Sequence, residues 1–354
     1  MALFDSPAFE GHEAVHAFHD KATGLKCFIA IHSTARGPSA GGCRMWTYEN
    51  DQAALDDALR LSRAMSYKNA VADIELGGGK AVIIGNSATD KTPALFEAFG
   101  EAVDQVCGRY WAAEDVGITP DDLAHARKKT RYVAGLDGHP AASGDPSPVT
   151  SEGVKRGIAL CVKRVLKSDL DGTTIAIQGL GHVGSGLADL LHAAGAKLVI
   201  ADVNAEAVRA VAERTGAKVV APGAIFDVEA DVFAPCALGG AISPETLPRI
   251  KAPIIAGGAN NQLSDPACGR ALYARGMTYA PDFVINGGGI INVAGEIRAL
   301  DRGEAYDPAW VESKVARMIE TLDEVLDRSI AEKRPTHEIA IDIAKARISA
   351  AEKR

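Results

Sequence analysis

TTIAIQGLGHVGSGLADLLHAAGAKLVIAD, residues 173–202, decides the fold of this chain. Three apolar residues, Ile175, Ala176 and Ile177, run into Gly179-Leu180-Gly181-His182-Val183-Gly184. An amphipathic segment follows, and Leu198, Val199 and Ile200 lead to Asp202. That is strand, glycine turn, helix, strand: a βαβ unit with G-x-G-x-x-G at its first turn. Gly179 lets the chain turn tightly, Gly181 lets backbone N–H groups approach a pyrophosphate, and Gly184 lets the helix lie close on the strand. The helix N-terminus turns the positive end of its dipole to the phosphates, and His182 and Val183 belong to the same turn. An isolated G-x-G-x-x-G is a weak sign, because glycine turns are common. Set between strand and helix, with an acid closing the second strand, it predicts dinucleotide binding. Asp202 is placed to accept the adenosine ribose hydroxyls and to repel a 2′-phosphate. The first arginine after it is Arg209, so the expected cofactor is NAD rather than NADP.

The remainder of the 354 residues suits two domains. A formal net charge of −8 offers no basic surface to a nucleic acid. The opening MALFDSPAFEG has acids where a signal peptide needs lysines, and no stretch reaches the roughly 20 apolar residues of a membrane span. Cysteines 27, 43, 107, 161, 236 and 268 are scattered, without C-x-x-C or a nearby histidine pair. Reduced thiols in a cytoplasmic enzyme, and no metal site, are the expectation. The turn-forming run from Gly138 to Pro148 marks the domain boundary. The expected fold is α/β: an N-terminal α/β substrate and catalytic domain over 1–145, then a Rossmann-type, doubly wound NAD-binding domain over 146–330. The helix over about 331–354 is expected to pack back on the first domain.

In the first half, residues 13–20 and 25–32 read as two strands around the turn at Thr23-Gly24. A helix begins after Asn50, its expected cap. Ala58, Leu61, Met65 and Lys68 then follow at spacings of three and four, so Lys68 continues an inward stripe. A buried ammonium is costly unless an anion meets it; the plainer alternative is a lysine that snorkels to water beside the helix end. Next come Gly77, Gly78, Gly79 and Lys80, entering an apolar strand. A phosphate loop is excluded, because Ile74 stands at its first glycine and Ala81 at its Ser or Thr. Such a glycine run lets a ligand or another backbone come close, and Lys80 projects there. Two lysines in a partly dry site depress each other's pKa, which is how a lysine becomes a base near neutral pH.

Asp121 and Asp122, after Thr119 and Pro120, are explained by a helix start. Asp115 comes too early for that, and is a candidate active-site carboxylate. Ser147 and Thr150 open the helix over 151–166, where capping and cofactor contact are compatible. Short apolar strands at 217–220, 231–234, 253–256 and 277–280 with 283–285 end in small or polar tips. These tips carry Cys236, Ala237, Asn260, Asn261 and Asn286. Ligands of a doubly wound sheet bind beyond the carboxyl ends of its strands, so the tips are expected to line the nicotinamide side. The tail from 307 on reads as two helices broken by Pro335. Val315, Met318, Ile319, Leu322, Val325 and Leu326 make a heptad-like stripe in the first.

GPSAGGCRMW (37–46), MSYKNA (65–70), LGGGKAVI (76–83), AEDVGI (113–118), GLGHVG (179–184), DVFAPCALGG (231–240), GGANNQL (257–263) and FVINGGGIINVA (283–294) together carry a resemblance. In this order, over nearly the whole chain, they resemble the glutamate, leucine, phenylalanine and valine dehydrogenases, most closely the leucine and phenylalanine branches. The resemblance implies reversible oxidative deamination of an L-amino acid to a 2-oxo acid and ammonia. It implies that Lys68 holds the substrate α-carboxylate, Lys80 is the base that activates water, and Asp115 shuttles protons at the amino group. Ala40, Gly41, Met65, Ala113, Asn260, Asn261, Ile290 and Val293 become substrate-lining positions. Gly179, Gly181, His182, Val183, Gly184, Asp202, Ser147, Thr150, Cys236, Ala237, Asn260 and Asn286 become cofactor-binding ones. Glutamate dehydrogenases carry a lysine where this chain has Ala40, so glutamate is not the expected substrate. Leucine dehydrogenases usually have leucine at 40 and valine at 290, where this chain has Ala40 and Ile290. An apolar side chain of leucine or valine type is expected, with an aromatic substrate as the alternative. A homo-oligomer, dimer or octamer, is a further expectation. A non-catalytic NAD sensor on this scaffold would need only the nucleotide half, and Lys68, Lys80 and Asp115 together argue against it.

Overall fold

The computed structural model describes residues 3–136 and 138–353. The outermost positions of the expected domain ranges, 1, 2 and 354, lie outside the described residues. The chain divides into two compact units. One takes residues up to 145, 292–311 and from 344 on; the other takes 146–291 and 312–343. The tail is thus shared out differently from the sequence reading, which gave everything from 146 to 330 to one domain and the last helix to the other.

The first unit holds β1 (Ala14–Asp20), β2 (Leu25–Ser33), β3 (Ser39–Trp46), α1 (Asp51–Val71), β4 (Gly77–Ile84), α2 (Pro93–Gln105), β5 (Tyr110–Glu114) and α3 (Pro120–Arg127). Its sheet runs β1-β2-β4-β3-β5. The β1–β2 and β2–β4 pairs are antiparallel, and β4–β3 and β3–β5 are parallel. Parallel neighbours need crossovers, and α1 supplies the one from β3 to β4. The strand alternation sorts β4 between two cores. Val82 packs with Ala54, Ala58 and Leu59 of α1, while Ala81 and Ile83 join Leu95, Phe96 and Phe99 of α2. Lys80 shares the parity of Val82 and therefore the α1 side.

Asn50 caps α1 as read, accepting the Ala53 N–H at 2.9 Å. The inward stripe of α1 is not the one expected. Ala54, Ala58, Leu59, Ser62, Ser66, Asn69, Ala70 and Val71 are its buried positions, so Ala58 points inward as expected, while Leu61, Met65 and Lys68 sit half-buried on the adjoining flank. Small residues win the inner face because the helix backbone lies almost on the strand. A Cβ on Gly78 would stand 2.1 Å from the Ser66 nitrogen. Asn69 Nδ2 donates to the Gly77 carbonyl at 2.6 Å. At Gly78 the glycine run therefore admits a neighbouring backbone, not a ligand.

The second unit is built around α4 (Ser147–Val165), β6 (Thr174–Gln178), α5 (His182–Ala193), β7 (Lys197–Ala201), α6 (Ala205–Thr215), β8 (Lys218–Val219), β9 (Val232–Pro235), β10 (Ile254–Ile255), α7 (Pro266–Ala274), β11 (Thr278–Tyr279) and α8 (Asp282–Ile285). After these come α9 (Gly288–Arg302), α10 (Pro308–Glu332) and α11 (Thr336–Glu352). The sheet is wholly parallel in the order β11-β10-β9-β6-β7-β8. Counted within the unit this is 6-5-4-1-2-3, the doubly wound Rossmann order, and it reverses direction between β6 and β9. Residues 283–285, read as a strand, form α8 instead. Pro281 and Asp282 start a single turn, in which the Ile285 and Asn286 N–H groups donate to their carbonyls. Helix α4 begins at Ser147, earlier than the expected 151, with Pro146 at its cap and no side-chain cap bond.

The stripe of α10 explains why residues 312–343 stay with this unit. Val315, Met318, Leu322, Val325 and Leu326 are buried. A Cβ on Gly153 of α4 would meet the Met318 methyl at 2.9 Å, and one on Gly157 the Leu322 side chain at 3.3 Å. Residues 292–311 belong to the first unit for a polar reason. Buried Glu296 accepts the N–H groups of Gly135 and Ser143 and the Ser143 hydroxyl, satisfying a loop without strand partners.

Candidate active site

In the first unit the chemistry gathers on the α1 side of the sheet. Lys80 is 5 % exposed, and its ammonium donates to Asp115 Oδ2. Burial pushes the Lys80 pKa below the ordinary ammonium range; the Asp115 charge opposes that, and the Arg44 guanidinium adds to it. Burial alone would raise the Asp115 carboxyl, but Lys80 and Arg44 outweigh it and hold it below the usual carboxylate range. The sequence predicts a Lys80 depressed by desolvation and by a nearby cation, and burial is indeed the largest cause. Arg44 is a cation that acts on it, and its Nε lies 3.2 Å from the same Asp115 oxygen. Arg44 was quoted in a motif and given no role.

One close approach fixes the carboxylate, and a second sets the backbone beside it. A Cβ on Gly42 would come within 2.6 Å of the Asp115 Cβ, so only glycine lets the chain after β5 settle there. At Gly41 an added Cβ would stand 2.0 Å from the Gly79 carbonyl oxygen and 3.1 Å from Met65 Cγ. Gly41 and Met65 are therefore neighbours, and Lys68 follows Met65 by three residues on the same flank of α1. Ala40 on β3 and Ala113 on β5 are buried, and Val293 on α9 is half-buried. The other expected substrate positions, Asn260, Asn261 and Ile290, belong to the second unit.

In that unit the glycine turn behaves as read. Gly179 has φ +95°, and its Cβ would press 2.5 Å from the Ala237 nitrogen, so the turns after β6 and β9 touch at the point where strand order reverses. A Cβ on Gly184 would sit 2.0 Å from the Gly179 oxygen and 3.2 Å from Cys236 Cβ. At Gly181 an added Cβ meets nothing within 4 Å. The first and third glycines are thus required by the fold, and the middle one faces open space. His182 and Val183 start α5 directly after it. Asp202 is held by two backbone donors, Leu180 N–H at 2.6 Å and Asn204 N–H at 2.7 Å, one on each oxygen. Thr150 is buried and donates to the Pro146 carbonyl at 3.0 Å, so it does not cap α4 as the plainer reading had it. Ser147 is the first residue of α4. Asn286 Nδ2 donates to Asn260 Oδ1 at 2.8 Å, which fixes both amides, and Asn261 adopts φ +51° beside them.

Residues 12–132 match the Glu/Leu/Phe/Val dehydrogenase dimerisation domain, and residues 200–354 match Glutamate/Leucine/Phenylalanine/Valine dehydrogenase. The chain belongs to this family of amino-acid dehydrogenases. The dehydrogenase is 44 % identical over 349 residues to leucine dehydrogenase of Geobacillus stearothermophilus, covering 98 % of this chain and 94 % of that one. It is 42 % identical over 349 residues to phenylalanine dehydrogenase of Bacillus thermotolerans, covering 97 % and 90 %. The crystal structure of L-tryptophan dehydrogenase from Nostoc punctiforme superposes with a TM-score of 0.86 at 40 % identity, covering 97 % of this dehydrogenase and 98 % of that chain.

The residues of the second unit fit a dinucleotide. Open space at Gly181 leaves backbone room at a helix N-terminus, and the Asp202 carboxylate can only accept hydrogen bonds. Two buried acceptors, Gln178 Oε1 at the end of β6 and Asn286 Oδ1, have no partner among the described residues. Buried acceptors are ordinarily satisfied, and a ligand amide or hydroxyl would satisfy these. Among the described residues no three His, Cys, Asp or Glu side chains gather as a metal site, and no helix is long and apolar enough to cross a membrane.

Proposed function

We propose that this chain carries out NAD-dependent, reversible oxidative deamination of an L-amino acid with an apolar side chain of leucine or valine type, giving the 2-oxo acid and ammonia. The observation that carries the reading is the buried Lys80 ammonium on the half-buried Asp115 carboxylate, two proton-exchanging groups already in contact. NAD, when bound through the turn at 179–184, Asp202, Ser147, Thr150, Cys236, Ala237 and Asn286, supplies the acceptor for the hydride that leaves the substrate Cα. Lys68 holds the α-carboxylate. Lys80, neutral at the moment of attack, takes a proton from the water that adds to the iminium carbon. Asp115 gives and takes the proton at nitrogen, so that ammonia can leave the carbinolamine. Gly41, Asn260 and Asn261 orient the substrate.

Support for the side chain comes from the 44 % identity to leucine dehydrogenases and from Ala40, 1 % exposed, which offers no cation to a second substrate carboxylate. Met65, Ala113, Ile290 and Val293 supply the apolar wall in this reading. Changes of one methylene discriminate by only about 1–3 kcal/mol, so the panel of substrates must be wide. Preference for NAD rests on the Asp202 carboxylate, which a 2′-phosphate would meet as a like charge. We place the reaction in the cytoplasm, where six free cysteines stay reduced, and in a homo-oligomer.

The test is NADH formation across L-leucine, L-valine, L-phenylalanine, L-tryptophan and L-glutamate, with NAD+ and NADP+ in parallel. Leucine or valine with NAD+ should give the highest kcat/KM. An aromatic optimum would move the assignment to the neighbouring branch, and no turnover on any amino acid would remove it.

A further inference from the structure

Arg44 spans two carboxylates. Its Nε lies 3.2 Å from Asp115 Oδ2 and its Nη1 3.0 Å from Asp57 Oδ2 on α1. Asp57 is held in turn by the Tyr48 hydroxyl at 2.7 Å and by Arg60. We propose that Arg44 is a positioning residue for the proton chemistry: a strut, anchored on Asp57 and Tyr48, that keeps Asp115 against Lys80 and balances its charge when Lys80 is neutral. This rests on the function proposed above and deepens it.

The reason lies in charge balance inside a partly buried site. With Lys80 and Asp115 alone, the stable arrangement is ammonium with carboxylate, and a proton leaving Lys80 would leave a half-buried anion without its counter-charge. Arg44 changes the balance. When Lys80 is neutral, Asp115 still faces a guanidinium that cannot itself lose a proton. Lys80 can then act as a base without its partner carboxylate becoming protonated. The other ionisable groups packed around Asp115 do not supply this compensation. Cys43 on β3 and Tyr110 on β5 are buried with their protons held, Asp122 on α3 pairs with Lys91, and Lys68 is assigned to the substrate carboxylate. A lysine could not replace the strut, because a single ammonium cannot present separate N–H groups to two carboxylates from one planar fork.

The experiment measures kcat/KM for the preferred amino acid against pH in wild type, Arg44→Gln and Arg44→Lys, with circular dichroism and thermal unfolding as fold controls. Deamination rises with pH as the base loses its proton. In Arg44→Gln that rising limb should move to higher pH by about one unit, so that the rate is roughly tenfold lower below the limb and recovers above it. Arg44→Lys should keep the limb near its wild-type position and lower the plateau, since the charge stays and the span is lost. Should Arg44→Gln fail to fold, a lowered plateau with an unmoved limb in Arg44→Lys still supports the strut. A folded Arg44→Gln whose limb stays in place overturns the proposal, as does an Arg44→Lys enzyme indistinguishable from wild type. If wild type itself oxidises no amino acid, the function has failed and not the strut. In that case, direct titration of Lys80 by NMR in wild type and Arg44→Gln still reads the strut: a raised Lys80 pKa in the variant supports it, and no change overturns it.

Discussion

Lys80 and Arg44 differ in how much of their chemistry a sequence can display. A lysine following three glycines, at the mouth of an apolar strand, is conspicuous because nothing local explains its charge. Arg44 reads as one more polar residue in a loop, since its partners Asp115 and Asp57 are 71 and 13 residues away and only the folded sheet brings them together. For the same reason the sequence points to Lys68, its near neighbour, as the cation opposing Lys80 and gives no sign that Arg44 opposes it too. Removing Lys80 tests the assignment of the base. Lys80→Ala should leave Asp115 ion-paired with Arg44 and the fold intact. It should lower kcat by about 10²–10⁴-fold, the range spanned by a positioned base. NAD+ affinity, measured by calorimetric titration, should not change. A variant that keeps more than a third of wild-type turnover would hand the base role to another residue.

Helix α1 was read from its cap and its spacing, and the cap was right while the inner face was one position off. The apolar residues Leu61 and Met65 drew the stripe toward themselves, whereas the face packed against β4 is that of Ala54, Ala58, Leu59, Ser62, Ser66 and Asn69. Strand β3 was given no element at all, because Ser39, Ala40, Gly41 and Gly42 carry none of the branched or aromatic residues by which strands are recognised. Their smallness serves the close approaches at Gly79, Met65 and Asp115. Two glycine substitutions separate fold from function on this basis. Gly78→Ala would drive a methyl into the α1 backbone and should destabilise the protein by about 1–3 kcal/mol or more, as overpacking does. Gly181→Ala meets no atom within 4 Å and should leave the melting temperature unchanged while weakening NAD+ binding. Thermal unfolding paired with NAD+ titration checks both. The interpretation fails if Gly181→Ala is the less stable of the two or binds NAD+ as wild type does.

The Rossmann half was legible almost entirely, since a parallel βαβ sheet is assembled from local crossovers whose turns carry their own signatures. For the tail a sequence shows an apolar stripe but not which surface the stripe meets. Residues 344–354 end in the first unit, where Arg347 donates to the Ala70 and Val71 carbonyls at 3.1 Å each. Those are the terminal carbonyls of α1, the helix that carries Lys68; Ala70 O already accepts the Asp73 N–H, and the guanidinium adds a cation at the negative end of the helix and a donor for Val71 O. Asp202 is held by Leu180 and Asn204, and the nucleotide turn lies on Ala237 and Cys236, all in the second unit. A chain ending at 343 should therefore lose substrate chemistry and keep its nucleotide. NAD+ at a hundredfold excess over its Kd should still stabilise the truncated protein by about 2.7 kcal/mol. Turnover of the preferred amino acid should fall roughly tenfold or more, a loss of about 1.4 kcal/mol in transition-state stabilisation. Calorimetric unfolding with and without NAD+, alongside steady-state rates, reads the two effects separately. If truncation abolishes the NAD+ stabilisation, or leaves turnover untouched, the last eleven residues do not serve α1 in the way Arg347 indicates.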